Sequence, residues 1–201
     1  MLKWQTVVVA YTLLGLLAWG LSAAFGDGNP WVHPAPWLTF SGPIRAGTSL
    51  LVGLALAAIL VASTRIAVQR FSFARQLHSD LRPVARDLTV ASVVVIALLS
   101  SLGEELFFRG FLVPKIGVFA QALIFGMAHQ VRGPSRWVWV AWASLVGVCF
   151  GFLFLLTGSL IGPIVAHAAV NSYNLIFLRN HDPSPKDRRL GGLLAHSDVW
   201  R

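Results

Sequence analysis

An all-α, polytopic transmembrane bundle is the fold class that this sequence predicts, and three observations carry the prediction. The chain of 201 residues is 56% hydrophobic and 12% charged, with a mean hydropathy of +0.69, well outside ordinary soluble composition. Six uncharged, mostly apolar runs recur along it: Thr6 to Phe25, Ala46 to Thr64, Leu88 to Gly103, Ile116 to Ala128, Trp137 to Thr157 and Leu160 to Leu178. The basic residues collect between the runs. The expected architecture is a single integral membrane domain over residues 1–201, of about six helices with eight as the upper count, followed by a polar tail from about residue 180.

The first run is long enough to span and longer than the apolar core of a signal peptide, so it reads as a retained helix. The following segment, GDGNPWVHPAPWLTFSGP, lacks lysine and arginine and carries Trp31 and Trp37, as suits an external loop with interfacial aromatics. Trp4, Trp137 and Trp139 read the same way, as anchors near helix ends. Leu88 to Gly103 and Ile116 to Ala128 are short. The former reaches full length only if its helix continues through Glu104, Glu105 and Arg109 toward Pro114.

With the N-terminus inside, thirteen basic residues fall on the inner side and three, Arg45, Arg109 and Lys115, on the outer, which predicts both termini inside. The net charge of +8 therefore reads as a topology signal, and a nucleic-acid partner is not expected. The single cysteine, Cys149, lies in an apolar run and reads as a core residue, which leaves no intramolecular disulfide and no multi-cysteine metal cluster. His181 and His196 in the tail read as solvated side chains.

Polar residues inside the runs carry the functional signal. A charge at the centre of a spanning helix costs roughly 2.5 to 3.5 kcal/mol unless partners surround it. Glu105 and Arg109 are four apart and form a natural ion pair on one helical face, whereas Glu104 points about 100° away with no local partner. Phe125 and His129 are four apart, as are His167 and Asn171, so each pair shares one face of its helix. With Pro114 as the turn, Glu104 and His129 lie about 15 and 22 Å down antiparallel helices, and His167 about 13 Å below Gly158. The depths overlap, which predicts a shared polar pocket opening toward the outer half of the membrane.

Such a pocket suits hydrolysis. A carboxylate beside an imidazole can hold and deprotonate water, and His167 with Asn171 can donate to the oxygen of a tetrahedral intermediate. Zinc on Glu104, Glu105, His129 and His167 is the second enzymatic reading, weakened by the absence of HExxH. A serine nucleophile ranks lower because GxSxG is absent.

Three ordered boxes resemble the CAAX protease and bacteriocin-processing family of intramembrane endopeptidases, also called the ABI family. EELFFR, Glu104 to Arg109, is similar to its EExxxR; FGMAH, Phe125 to His129, to FxxxH; and HAAVN, His167 to Asn171, to HxxxN. The resemblance implies a glutamic protease without a cofactor. Glu104 would activate the water, His129 would share it, and His167 with Asn171 would line the oxyanion site; Glu105, Arg109 and Phe125 would support them. It implies a membrane-associated or lipidated protein or peptide as substrate, cut near its C-terminal region, and the lipid bilayer as surroundings. The sparse basic residues after FRG suit an outward-facing site like that of the myxosortases, a bacterial subgroup. The expected location is a prokaryotic plasma membrane, crossed several times. A non-catalytic scaffold or bacteriocin-immunity protein of the same family is the competing class, and a proton-coupled transporter a third, lowered by the lack of inverted repeats.

Overall fold

The structure, a computed structural model, describes residues 4–26, 28–131 and 133–183. Lys3, Arg132, His196 and the rest of the tail lie outside the described residues, as does the Trp4 side chain. The chain forms α1 (Trp4–Phe25), α2 (Gly42–Arg70), α3 (Ser72–Ala85), α4 (Val90–Glu104), a π-helical segment (Glu105–Leu112), α5 (Val113–Ala128), α6 (Arg136–Thr157) and α7 (Ile161–Asn180). The one β feature among the described residues is an isolated antiparallel bridge between Val32 and Ser159.

Among the described residues five helices are long and apolar enough to cross a membrane, one fewer than the six expected runs. The difference lies in the continuous 39-residue helical stretch Val90–Ala128, which contains two of the runs. At Gly117 its backbone leaves the helical region, with φ 78° and ψ 170°. Glycine alone adopts that conformation at little cost, so the chain folds back there. The turn is therefore at Gly117 rather than Pro114. Proline survives inside the helix because the ladder ahead of it is widened, with Val113 N–H donating to the Phe108 carbonyl five residues back. With the turn moved, Glu104 lies thirteen residues before it and His129 twelve after, about 20 and 18 Å along the two arms, a closer match than the sequence suggested.

Two ends of the bundle can be told apart. At one, the segment after α1 docks onto the α6–α7 turn through main-chain bonds: Trp37 N–H to Leu155 O at 2.9 Å, Leu38 N–H to Leu156 O at 3.0 Å and His33 N–H to Gly158 O at 3.1 Å. Gly158, left-handed at φ 70°, ends α6 there. At the other end α3, expected to be loop, is an amphipathic helix. His78 Nε2–H donates to the His181 carbonyl at 2.9 Å, and Arg82 pairs with Asp182 at 3.5 Å. His181, expected to be merely solvated, stacks its ring on Phe177. Arg65 and Arg70 of α2, the arginines of α3 and Arg136 at the start of α6 gather at this second end, and Arg109 leaves the outer tally because it is fully buried.

Without a hydrophobic drive between helices in lipid, close packing needs small residues at the crossings. A Cβ on Gly53 of α2 would stand 2.5 Å from the Gly162 carbonyl of α7, and one on Gly103 of α4 would stand 2.5 Å from the Tyr11 carbonyl of α1. Phe150, Phe154 and Leu160 fill the centre and are fully buried. Cys149 is a half-buried free thiol.

Candidate active site

The expensive residues converge where α4 passes into the π segment. Glu104 is 5% exposed, Glu105 and Arg109 are 0% exposed and His167 is 4% exposed, so two acids, a guanidinium and an imidazole share one buried volume. Arg109 NH1 donates to Glu105 Oε1 at 2.8 Å, the ion pair expected from their spacing. Its NH2 donates to the Gly147 carbonyl at 3.3 Å, and its guanidinium lies 4.4 Å from the Phe125 ring centre and 5.3 Å from that of Phe150. Charge pairing, a carbonyl and two ring faces together offset the desolvation of a buried cation.

Each imidazole has one nitrogen committed. His129 Nδ1–H donates to the Phe125 carbonyl at 2.7 Å, and His167 Nδ1–H donates to Glu105 Oε1 at 2.7 Å. That choice of tautomer turns both Nε2 atoms toward Glu104, at 3.5 Å from its Oε2 for His129 and 3.8 Å for His167. Glu104 Oε2 is buried without a hydrogen-bond partner among the described residues. Buried carboxylate oxygens are normally satisfied, so an unpartnered one facing two ring nitrogens marks a place prepared for another molecule. Tyr11, from α1, lies near Glu104, its main-chain carbonyl against Gly103.

Four of the residues expected in the site, Glu104, Glu105, His129 and His167, thus meet, and Phe125 lies against both histidines. Its carbonyl fixes His129, and its ring lies 4.3 Å from the His129 ring and 6.0 Å from that of His167. Asn171 is nearby with a different partner. Its Nδ2 donates to Ser100 Oγ at 3.2 Å, one turn before Glu104 on α4. His167 also differs from expectation, because Glu105 occupies its Nδ1 and only Nε2 faces the site. Sequence reasoning missed Tyr11, for which a single aromatic in an apolar run gives no signal. Among the described residues, no group of three or more His, Cys, Asp or Glu side chains is arranged to hold a metal ion.

Trp139, expected as an interfacial anchor, packs its ring 6.2 Å from that of His129. It also lines an apolar cavity of about 550 Å³ between α2, α3, α6 and α7, with Val68, Leu77, Trp142 and Phe177. The His129 side chain is 24% exposed, the most open of the cluster. The cavity lies at the α3 end, opposite the docked loop. The loop segment covers the far end instead, with Pro30 packed against Gly110 of the π segment.

The geometry agrees with the comparison to known proteins. A family described as Type II CAAX prenyl endopeptidase Rce1-like matches residues 86–173, the span that holds all three boxes. Over that segment the chain is similar to the Rce1-like CAAX protease family. The chain is also similar to the uncharacterized protein YpbD of Bacillus subtilis (strain 168), 26% identical over 132 residues, covering 64% of this chain and 68% of that protein. No solved structure matches the chain. The five candidate spans mark an integral membrane protein, and the Rce1-like segment starts at Arg86, which leaves α1, α2 and α3 outside it.

Proposed function

We propose that the chain is an intramembrane endopeptidase that uses water held by Glu104 and His129 to cut a peptide bond near the C-terminal region of a membrane-associated or lipidated protein. The observation that carries the reading is Glu104 Oε2, unpartnered and facing two Nε2 atoms at 3.5 and 3.8 Å. A carboxylate and an imidazole lone pair at that separation can each accept one hydrogen of a single water, which leaves its oxygen lone pair free for attack.

The chemistry then balances without a covalent enzyme intermediate. Glu104 takes a proton from the water as its oxygen bonds to the substrate carbonyl carbon. The former carbonyl oxygen becomes an oxyanion. The proton passes from Glu104 to the leaving nitrogen, the C–N bond breaks, and a carboxylic acid and an amine form; the acid then gives its proton to the amine, so a carboxylate and an ammonium depart. His167 stabilises the oxyanion as an imidazolium donating from Nε2, with Asn171 as second donor. The charges favour this form: Glu104 and Glu105 contribute two negatives and Arg109 one positive, so a proton on His167 brings the buried cluster to neutrality, the state a low-dielectric site prefers. Glu105 would hold that imidazolium much as the buried aspartate of a serine protease triad does.

The apolar cavity beside Trp139 supports a lipidated substrate, since its volume falls within the usual range for a small-molecule pocket and its walls suit a hydrocarbon chain. The gathering of arginines at the cavity end supports a cytoplasmic opening, with both termini cytoplasmic in a prokaryotic plasma membrane. No metal takes part in this reading. The test is cleavage of a farnesylated, C-terminally quenched CAAX-type peptide by the purified protein in liposomes. Glu104→Gln and His129→Ala should each abolish it while expression and folding persist; turnover unchanged in Glu104→Gln overturns the proposal.

A further inference from the structure

Helices α4 and α7 run antiparallel through the site and meet in two polar rungs one turn apart. Glu104 faces His167 in the first, with Oε2 and Nε2 separated by 3.8 Å. Ser100 and Asn171 form the second, through the bond from Asn171 Nδ2 to Ser100 Oγ at 3.2 Å. Ser100 precedes Glu104 by four residues and Asn171 follows His167 by four, so the rungs lie in step, about 6 Å apart along both helices. Ser100 is buried at 3% exposure. Its Oγ–H donates to the Ala97 carbonyl at 3.3 Å, which leaves the hydroxyl oxygen only lone pairs to offer across the crossing. The amide nitrogen of Asn171, and not its carbonyl oxygen, is therefore the end that faces Ser100. That nitrogen carries two hydrogens, of which the bond to Ser100 takes one.

We infer that Ser100 is a positioning residue, which by accepting one N–H holds the Asn171 carboxamide in the orientation that offers its second N–H to the substrate oxyanion. The inference rests on reading Asn171 as an oxyanion donor beside His167. The terminal torsion of an asparagine is broad, so a carboxamide without that partner could turn its carbonyl oxygen to the pocket instead. An oxygen there would repel the developing negative charge that a donor stabilises. Ser100 thus does for Asn171 what Glu105 does for His167, binding one hydrogen of the side chain so that another nitrogen valence serves the site.

The experiment compares cleavage of the farnesylated, quenched peptide by Ser100→Ala and by Ser100→Cys, whose sulfur keeps the volume but accepts weakly. In each, kcat should fall by about 10- to 10²-fold with KM unchanged, the larger figure being what a misplacement of about 1 Å can cost. In an Asn171→Ala background Ser100→Cys should cost nothing further, because the group it orients is gone. Full kcat in folded Ser100→Cys, or an equal loss with and without Asn171, overturns the inference while Asn171 keeps its role. An Asn171→Ala variant as fast as the parent instead removes the oxyanion reading itself. A substrate-free measurement reads the orientation even if the peptide resists cleavage. In protein carrying isotope-labelled asparagine, the two Nδ2 protons of Asn171 are identified by their loss in Asn171→Ala. Their magnetic resonance shifts should differ in the parent, where one is bonded, and draw together in Ser100→Cys. Shifts unmoved by that substitution overturn the inference whatever the peptide does.

Discussion

The His167 ring donates from Nδ1 to Glu105 at 2.7 Å and presents Nε2 to Glu104 at 3.8 Å, so one imidazole spans the two adjacent carboxylates. Glu104 and Glu105 are consecutive, yet both turn inward and play different parts. Glu105 Oε1 takes both Arg109 and His167, while Glu104 Oε2 has no partner and faces the two Nε2 atoms. Glu105→Gln leaves the size of the side chain and removes the charge that favours a protonated His167. The expected result is a fall in kcat of about 10²- to 10³-fold, the cost of losing one oxyanion donor, with KM little changed. A variant with undiminished kcat would mean that His167 works as a neutral ring.

Arg109 makes a stability prediction. It is fully buried, and its removal leaves Glu105 charged and facing only His167. Breaking one partner of a buried pair costs about 3 to 5 kcal/mol, whereas replacing both with apolar or neutral groups can be close to neutral. Arg109→Leu should therefore melt well below the parent in detergent, and Glu105→Gln combined with Arg109→Leu should recover much of the loss. Additive destabilisation in the double variant would show that the two residues are not energetically coupled.

Much of this site was legible because lipid makes polar residues conspicuous. Glu104, Glu105, Arg109, His129 and His167 stand out in apolar runs, and spacing alone paired Glu105 with Arg109. What escaped was set by backbone geometry. Pro114 looked like the turn because proline usually ends a helix, but the π ladder before it absorbs the missing N–H and moves the reversal to Gly117. That shift of three residues changed the depth of His129 more than any side chain did. Helix α3 was hidden by its arginines, since charge density between apolar runs reads as loop until its apolar face is matched to α7. Tyr11 and Trp139 escaped for the opposite reason, being ordinary aromatics until their neighbours are known.

His78 predicts a pH dependence of stability. Its ring is buried against Phe177 and its Nε2–H is held by the His181 carbonyl; burial, the largest cause, lowers its pKa from the ordinary histidine value of 6.5. Nearby Arg65 and Arg82 act in the same direction. The folded protein thus binds this proton less well than the unfolded chain, so stability is full above 6.5 and is lost as pH falls from there toward the lowered folded value. His78→Phe should flatten the melting temperature across that window. A slope unaltered by the substitution would assign the pH response to other groups.

Chelation discriminates between the two hydrolytic chemistries. Glu104 Oε2 and the two Nε2 atoms face one another with their lone pairs, and Glu105 behind His167 resembles the carboxylate that commonly orients a zinc-bound histidine. What favours water alone is the positive charge already present. Arg109 is buried against the same pair of acids, and one further proton neutralises the cluster, whereas a divalent ion would leave a net positive charge in a low-dielectric site. Peptide cleavage should accordingly be unaffected by 1,10-phenanthroline and by prolonged dialysis against EDTA. Inhibition by the chelator that is restored on adding zinc would transfer the water from Glu104 and His129 to a metal. Glu104 would then be a ligand rather than the base, and Glu104→Asp, which shortens the reach of a ligand, should weaken zinc retention measured by elemental analysis of the purified protein.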